Sequence, residues 1–249
     1  MNIYIVSSGR PNKQITFRQF LPETKFPVIT VVPEKDTEGY VHFQEGGYFL
    51  FHDKHGIKDT RQFILDQNPS GKIVMLDDDL TFYTRNPIGS FRKAVPANVE
   101  VLFEEIERTL DYYTHVSIID KFMSNMKSRD RIYNGRYFQV LGYNLHNFPH
   151  PRPRFRVEVQ EDIDMNLQLL SQGHYSCVLT EWAKSSRAYA VGGCSEWRTP
   201  SVELEALQKM CELWPGICSF RESKTTLSKK YLAVNWRKAY VPNPYLHSF

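Results

Sequence analysis

Apolar and polar positions along the chain alternate in blocks that predict strands and helices in turn. Six short runs are rich in β-branched and apolar residues and are bounded by polar or turn-forming residues, which is typical of buried strands. They are Asn2–Ser8, Phe26–Val32, Lys72–Asp77, Val116–Ile119, Tyr137–Tyr143 and Tyr175–Thr180.

Between these runs, apolar residues recur at intervals of three and four, which predicts four helices. They are a helix from Ile57 that Asn68-Pro69 stops, one over Val99–Tyr113, one over Glu161–Leu170 that Gly173 ends, and one from Thr199-Pro200 that stops before Pro215. Strands that alternate with helices predict an α/β fold, Rossmann-like, with a mostly parallel central sheet flanked by helices.

The length of 249 residues and the hydrophobic content of 41% are sufficient for one buried core without disulfide support. We therefore expect a single domain over residues 1–249, with a core over about 1–180, and with a loop for the acceptor and a basic C-terminal extension over 181–249. Asn144–Arg156 and Thr180–Thr199 lack clean periodicity, and we expect loops there that contact substrates.

Composition favours a soluble, cytoplasmic protein. The first residues show no basic leader, and no apolar run approaches the ~20 residues of a membrane span. The four cysteines are scattered, so we expect them to be reduced, without a disulfide framework or a paired C-x2-C zinc site.

Positive charge is concentrated in two parts of the chain, although the net charge is only +3. Residues 215–249 carry six basic side chains against the one acidic side chain of Glu222. A second stretch, Lys127–Arg156, mixes basic and aromatic residues. Such mixtures are typical of surfaces that bind phosphate backbones and bases, and an ordinary solvated surface is the alternative.

Three carboxylates, Asp77, Asp78 and Asp79, end the apolar run that starts at Lys72. Ligands of open α/β sheets bind beyond the carboxyl ends of strands. Alternate residues of an extended segment point the same way, so Asp77 and Asp79 can share one face. Mg²⁺ or Mn²⁺ with a substrate diphosphate is a natural neutraliser of these charges, and a solvated acidic turn is the alternative.

Two further segments are suited to an anion. The strand end at residues 7–10 and the helix start at residues 56–61 combine backbone N–H groups with cations. No P-loop and no Rossmann glycine motif occurs, which argues against an NTPase or a dehydrogenase. The expected contacts to a donor nucleotide are Ser8, Arg10, Thr60 and Arg61, together with Asp77 and Asp78.

A second acidic group, Glu161-Asp162-Ile163-Asp164, starts the third predicted helix. Carboxylates are favourable at a helix N-terminus, so capping alone accounts for part of it. In the functional alternative, one carboxylate lies across a cleft from the metal and accepts a proton from an attacking hydroxyl. Glycosyl transfer requires this division of labour between a metal for the departing diphosphate and a base for the acceptor.

The order of these motifs resembles the GT-A glycosyltransferases, and more narrowly the TET-associated glycosyltransferases of phages, which are relatives of the base J glucosyltransferase. The motifs are Ser-Ser-Gly-Arg-Pro at residues 7–11, Gly-Ile-x-x-Thr-Arg at 56–61, Leu-Asp-Asp-Asp at 76–79, Glu-Asp-Ile-Asp-x-Asn-Leu at 161–167, and a following loop Gly192-Gly193-Cys194-Ser195. The resemblance covers about residues 3–180. It implies a UDP-sugar donor, glucose or arabinose, and transfer to a hydroxymethylpyrimidine of phage DNA, first of all 5-hydroxymethylcytosine.

By the same resemblance, Asp77 and Asp79 bracket the metal-bound diphosphate, and Asp78 lies near the ribose or the metal. Asp162 is the catalytic base with Glu161 beside it, and the reaction inverts the anomeric carbon. GT-A enzymes often supply a C-terminal histidine to the metal. The candidates for it here are His174 and His247.

For a DNA acceptor, we expect contacts from the basic stretches and from the loops. The candidates are Arg129, Arg131, Lys229 and Lys230 for phosphate, Gly192 and Gly193 for loop closure, Trp197 for stacking on a base, and Trp182, Tyr189 or Phe155 as further stacking residues. Three alternatives remain. They are a GT-A enzyme that acts on a protein, lipid or polysaccharide, a metal-dependent nuclease or nucleotidyltransferase, and a non-catalytic DNA-binding module.

Overall fold

A computed structural model describes residues 1–42, 47–123, 131–186, 198–222 and 230–242 of the chain. The strands in these ranges are β1 (Asn2–Val6), β2 (Val28–Pro33), β3 (Tyr48–His52), β4 (Lys72–Asp77), β5 (Leu80–Arg85), β6 (Phe91–Lys93), β7 (His115–Asp120), β8 (Arg131–Tyr133), β9 (Val140–Asn144), β10 (Ser176–Ser186), β11 (Cys218–Glu222) and β12 (Lys230–Val234). The α-helices are α1 (Thr37–Val41), α2 (Gly56–Gln67), α3 (Pro96–Thr109), α4 (Glu161–Ser171), α5 (Pro200–Leu213) and α6 (Trp236–Ala239).

One ten-stranded sheet forms the centre, in the order β3-β2-β1-β4-β9-β7-β10-β5-β6, with β8 paired to β10. Strands β1, β2, β3, β4, β7 and β10 run in one direction. The α/β fold class with helices on the sheet is therefore confirmed. The sheet is mixed rather than mostly parallel, because β9 enters antiparallel between β4 and β7, and β5, β6 and β8 add antiparallel pairs.

All six predicted strands and all four predicted helices are present, with ends displaced by a few residues. The sequence pattern does not predict the other six strands, β3, β5, β6, β8, β11 and β12. For β6 and β8 the reason is that three residues are too few to show a periodicity. The expectation of a loop from Thr180 is wrong for Thr180–Ser186, which continue β10, and Trp182–Ser186 pair with β5. Thr199 caps α5 as expected, since its hydroxyl accepts the N–H of Val202 at 3.4 Å.

Apolar side chains cover both faces of the sheet, as expected for a sheet between two layers of helices. One face packs mainly against α3 through Ile3, Ile5, Val74, Leu76, Leu102, Phe103 and Ile106. The other face packs against α2 and α4 through Tyr4, Ile73, Met75, Ile64, Leu65, Met165 and Leu169. Arg61 lies on the buried face of α2 with Ile64 and Leu65, because residues three and four apart share one side of a helix.

The C-terminal elements α5, β11, β12 and α6 pack against helix α4. Met210, Cys218 and Ala239 are buried with Leu167 and Leu170 of α4. The indole N–H of Trp214 donates to Asp164 Oδ1 at 2.8 Å, and Arg156 binds both oxygens of the same carboxylate at 2.9 and 2.6 Å. Asp164 therefore fixes the C-terminal elements to the helix that begins with the second acidic group.

None of the helices in the described ranges is long and apolar enough to cross a bilayer. Cys177, Cys211 and Cys218 are free thiols, and the first and last of them are buried. The two buried thiols agree with the expectation of reduced, packed cysteines, whereas Cys211 is partly exposed and Cys194 lies outside the described residues.

Candidate active site

Four parallel strands bring polar side chains to one edge of the sheet. Ser7 follows β1, Asp77 ends β4, Asp120 ends β7 and Lys184 lies near the end of β10. Because these strands run in the same direction, their carboxyl ends meet at the same edge, where ligands of α/β sheets bind.

The acidic triplet presents two of its carboxylates to the cleft and buries the third. Asp77 and Asp79 are partly exposed, at 25% and 15% of their side-chain surface, while the Asp78 side chain has no exposed surface. Asp77 ends β4, whereas Asp78 and Asp79 form the turn before β5, so the turn and not the alternation of a strand sets the directions of the last two side chains.

Asp78 is bound by the loop that follows β1. Ser7 Oγ donates to Asp78 Oδ2 at 2.5 Å, and the Arg10 guanidinium lies 2.7 Å from Asp78 Oδ1 and 3.6 Å from Asp79 Oδ2. Burial raises the pKa of Asp78 to about 7, against the opposing effects of Arg10 and Ser7. Asp78 thus has partners inside the protein and fixes the loop.

The same loop is held from its other side by Asp36 and Tyr40, which the sequence pattern does not single out. Asp36 Oδ2 accepts the Ser8 hydroxyl at 2.7 Å and the Gly9 N–H at 2.9 Å. The Tyr40 hydroxyl lies 2.6 Å from Ser7 Oγ and accepts the Arg10 N–H at 3.1 Å. A surface cavity of about 440 Å³ adjoins the loop and includes Gly9, Asp36 and Tyr40 in its wall.

Arg61 joins the two acidic groups. Its side chain is 2% exposed, and its guanidinium donates to Asp77 Oδ1 at 2.8 Å and, through the other terminal nitrogen, to Glu161 Oε1. Burial opposes the charge of Arg61, but Glu161 and Asp77 hold its pKa above the ordinary value. A single guanidinium group therefore bridges the acidic triplet and the start of α4.

Glu161 and Asp162 occupy the first turn of α4, where the helix dipole favours carboxylates. The residue before them, Gln160, has a φ of 70°, a left-handed conformation that costs energy for a residue other than glycine. Burial raises the pKa of both carboxyl groups, and Arg61 opposes this effect. Glu161 is tied to Arg61, whereas Asp162 Oδ1 accepts only its neighbour's N–H, from Ile163 at 2.8 Å, among the described residues.

Lys184 is a buried cation whose charge interacts with both Asp77 and Asp162. Its side chain has no exposed surface, and its Nζ lies 3.1 Å from Asp120 Oδ2 and donates to Gln139 Oε1. Burial lowers the pKa of Lys184, while Asp120 and, more weakly, Asp77 and Asp162 raise it. The register of β10 on β7 shifts between Leu179 and Ala183, and this irregularity brings Lys184 opposite Asp120.

Asp77 and Asp79 are suited to bind a divalent cation whose coordination shell a substrate diphosphate would complete. Each has an oxygen outside its ion pair, and burial together with repulsion from Asp77 raises the pKa of Asp79 to about 6. In the described ranges no three His, Cys, Asp or Glu side chains are arranged to hold a metal. A cation at Asp77 and Asp79 would therefore need further ligands from substrate phosphates or water, as Mg²⁺ sites commonly do.

The histidine candidates add no ligand among the described residues. His174 follows the far end of α4, roughly 16 Å from the acidic start of an eleven-residue helix, and its Nδ1 lies 3.0 Å from Thr114 Oγ1. His174 is therefore excluded as a partner of Asp77. His247 lies outside the described residues.

Several other residues that we predicted to contact the donor or the DNA are buried or lie away from the cleft. The Thr60 hydroxyl donates to the Gly56 carbonyl at 2.8 Å and is buried, like Arg61. The stacking candidates Trp182 and Phe155 are core residues, at 6% and 5% exposure. Arg131 lines a separate cavity of about 570 Å³ with Glu105, Tyr133 and Glu181. Gly192, Gly193, Trp197, Tyr189, Arg129 and Lys229 lie outside the described residues, and of Lys230 only the backbone is described.

The site residues that the sequence analysis misses divide into two kinds. Asp36 comes three residues after β2, so the rule that strand ends carry ligand contacts would have found it. Lys184, Asp120 and Gln139 come together only through the pairing of β7, β9 and β10, for which a single sequence carries no local signal.

Solved structures with the same architecture show the fold. Glucosyl-3-phosphoglycerate synthase from Mycobacterium tuberculosis, in complex with Mg²⁺ and UDP, matches 94% of this chain and 86% of its own, at 9% identity and a TM-score of 0.52. A second structure of that enzyme, with Mn²⁺, UDP and phosphoglyceric acid, has a TM-score of 0.49 at 11% identity and coverages of 94% and 85%. CMP:2-keto-3-deoxy-manno-octonic acid synthetase with CTP has a TM-score of 0.45 at 14% identity, with coverages of 85% and 98%.

Sequence comparison identifies the family. No curated protein matches the chain. A family model described as TET-Associated Glycosyltransferase matches residues 1–193, which include the β1 loop, Arg61, the acidic triplet and the start of α4. The match extends over more than half of the 249 residues. The chain therefore belongs to the TET-associated glycosyltransferase family.

Proposed function

We propose that this glycosyltransferase moves a sugar, glucose or arabinose, from a UDP-sugar to the hydroxymethyl group of 5-hydroxymethylcytosine in phage DNA. Membership of the family supports glycosyl transfer and a modified-DNA acceptor. The observation that carries the proposal is the Arg61 bridge, because it joins a cation-binding pair of carboxylates to a helix start with a second, separate carboxylate. We treat residues 1–249 as one catalytic unit that works in the cytoplasm of the phage host.

Asp162 is the catalytic base in this proposal. The acceptor hydroxyl oxygen attacks the anomeric carbon while Asp162 Oδ2 takes its proton, and the bond from that carbon to the UDP oxygen breaks with its electron pair left on the diphosphate. Attack from the face opposite the leaving group inverts the anomeric carbon. A raised pKa suits a base that must accept a proton near neutral pH. Glu161 positions Asp162 through its ion pair with Arg61.

Asp77 and Asp79 hold the donor end of the site. A Mn²⁺ or Mg²⁺ ion bound between them and the diphosphate would stabilise the charge that develops on the departing UDP. Ser8 and Arg10 belong to the loop beside the 440 Å³ cavity, which we assign to the nucleoside of UDP. Asp78 and Thr60 have bonds inside the protein and shape this end of the site.

In this proposal, basic side chains on the protein surface bind the DNA acceptor. Arg131 is partly exposed, and the C-terminal stretch with Lys229 and Lys230 carries six basic side chains against one acidic side chain. Such a surface suits the phosphate backbone of DNA. We assign the loop at Gly192-Gly193 and Trp197 to closure over the acceptor base.

The test is transfer to DNA that contains hydroxymethylcytosine or, in parallel, hydroxymethyluracil. The protein is incubated with each DNA, Mn²⁺ and a panel of UDP-sugars, and digested nucleosides are weighed by mass spectrometry. We expect a pentose or hexose mass gain with wild type and none with Asp162→Asn. Asp111→Asn is the matched control, because Asp111 is 59% exposed and pairs with Lys72.

Two results would contradict the proposal. An unchanged nucleoside mass across the whole panel would favour a protein, lipid or polysaccharide acceptor. Strand cleavage without a mass gain would favour a nuclease that uses the same carboxylates.

A further inference from the structure

The segment Gly135–Gln139, which we call the acceptor loop, is hydrogen-bonded both to helix α4, which carries Asp162, and to the acidic triplet. At one end, Asn166 Nδ2 donates to the Gly135 carbonyl at 2.9 Å. Asn166 lies four residues after Asp162 and therefore on the same side of α4. At the other end, the Asp77 N–H donates to the Gln139 carbonyl at 3.3 Å. The acceptor loop thus spans the distance between the two groups that the reaction uses.

The buried Lys184 fixes the ring in this loop. Its Nζ lies 3.3 Å from the centre of the Phe138 ring, and the same ammonium binds Asp120 and the side chain of Gln139. Gln139 itself has a φ of 65°, a conformation that surrounding contacts must hold in place. Phe138 is therefore a fixed, partly exposed aromatic platform between Asp77 and Asp162.

Arg136 rests on that platform. Its guanidinium carbon lies 4.8 Å from the Phe138 ring centre, and its side chain is exposed. Arg10 and Arg61 are each paired with two carboxylates, whereas Arg136 has no carboxylate partner in the described part of the chain. A guanidinium oriented by an aromatic ring keeps its donors free for an anion. Arg136 acts on Asp162 electrostatically, since its charge lowers the pKa of that carboxyl group against the larger effect of burial.

We propose that Arg136, held against Phe138, binds a phosphate of the acceptor strand and so directs a nucleotide hydroxymethyl group to Asp162. This inference rests on the proposed function and adds a specific contact for a phosphate-bearing acceptor. The donor diphosphate belongs to the other end of the acceptor loop, at Asp77 and Asp79, where carboxylates and not free cations face the cleft.

The experiment compares two short oligonucleotides with one hydroxymethylcytosine each. One has natural phosphodiesters, and the other has neutral methylphosphonates on both sides of the modified base. For wild type we expect KM for the acceptor to rise about tenfold to hundredfold with the neutral linkages, the loss typical of a hydrogen bond to a charged group. Arg136→Ala should raise KM for the natural oligonucleotide by a similar factor and should respond little to the neutral linkages.

Arg108→Ala is the matched control, because Arg108 is exposed in the last turn of α3, which precedes the start of β7 and so lies at the edge of the sheet opposite the site. It should leave both KM values unchanged. Binding of the natural oligonucleotide, followed by fluorescence anisotropy, should show a salt dependence whose slope falls by about 1 in Arg136→Ala. Arg136→Lys should restore part of the affinity, since it keeps the charge but loses the planar fork.

The outcomes separate the two proposals. Transfer by wild type with the same acceptor KM in Arg136→Ala overturns the assignment of Arg136 alone. A rise in KM for the UDP-sugar instead of the acceptor assigns Arg136 to the donor and also overturns it. No transfer by wild type to either oligonucleotide overturns the proposed function, and the inference with it.

Discussion

Replacing Arg61 by methionine should destabilise the protein strongly, because it leaves two carboxylates without their shared cation. Glu161 is 6% exposed and is therefore poorly hydrated, whereas Asp77 is 25% exposed and can be hydrated. Loss of one partner from a buried ion pair typically costs about 3–5 kcal/mol, mainly from the charge left behind. That is a large part of the ~5–15 kcal/mol by which proteins are stable. For a chain of this size it corresponds to a fall in Tm of about 6–20 °C.

The cost should depend on pH in a defined direction. Without Arg61, burial raises the pKa of Glu161 still further, so the folded variant binds a proton that the unfolded chain has released. A carboxyl group with a raised folded pKa contributes stability at low pH and loses it as pH rises above the unfolded value. Denaturant unfolding of Arg61→Met should therefore show a smaller loss at pH 5 than at pH 8.

A double-mutant cycle with Glu161→Gln tests the reasoning. The amide introduced by Glu161→Gln carries no charge, so the combination with Arg61→Met should be less destabilised than the sum of the single variants, by more than about 1 kcal/mol. Arg154→Met is the control for arginine removal, and its loss should stay below about 1 kcal/mol because its pair with Asp66 is exposed. Additive losses in the cycle, or equal losses at Arg61 and Arg154, would refute the electrostatic bridge.

Four other outcomes follow from the structure. Asp162→Asn should lower kcat by about 10²–10⁴-fold with little change in KM for the donor, as measured in steady-state kinetics. In wild type, kcat/KM should fall as pH decreases through an apparent pKa above the ordinary aspartate value of about 4, because burial raises the pKa of Asp162 and the base must be ionised. A midpoint at or below about 4 would contradict this. EDTA should abolish transfer and Mn²⁺ restore it, with at least about tenfold more Mn²⁺ needed by Asp79→Asn, since one of two carboxylate ligands is removed. Trp214→Phe should lower the free energy of unfolding by about 1–3 kcal/mol, because it removes a donor from the buried Asp164; an unchanged urea midpoint would show that this bond does not hold the C-terminal elements.

The four longest helices and six of the twelve described strands follow from the sequence pattern. The helices α2, α3, α4 and α5 begin and end near the residues that their apolar spacing and their Pro, Gly and Thr signals indicate. Both acidic groups lie where the pattern places them, at the end of β4 and the start of α4. These features depend on steric and hydrogen-bond preferences within a few residues, and a single sequence carries that information.

The pairing of distant segments does not follow from the pattern. The position of β9, antiparallel between β4 and β7, makes the sheet mixed, and nothing in the apolar run of β9 specifies its direction. The irregularity in β10 likewise has no local signature, because the residues around it read as a polar loop.

The sequence by itself determined which chemical groups this protein has and on which elements they lie, with two carboxylate clusters at a strand end and a helix start. Only the tertiary structure decided how these groups neutralise one another. Arg61 reaches Glu161 across 100 positions of the chain and Asp77 across 16, and Lys184 meets Asp120 through the register of β10 on β7. Burial and charge pairing are set by the packing of segments far apart in sequence, so partners of this kind become visible only once the chain is folded.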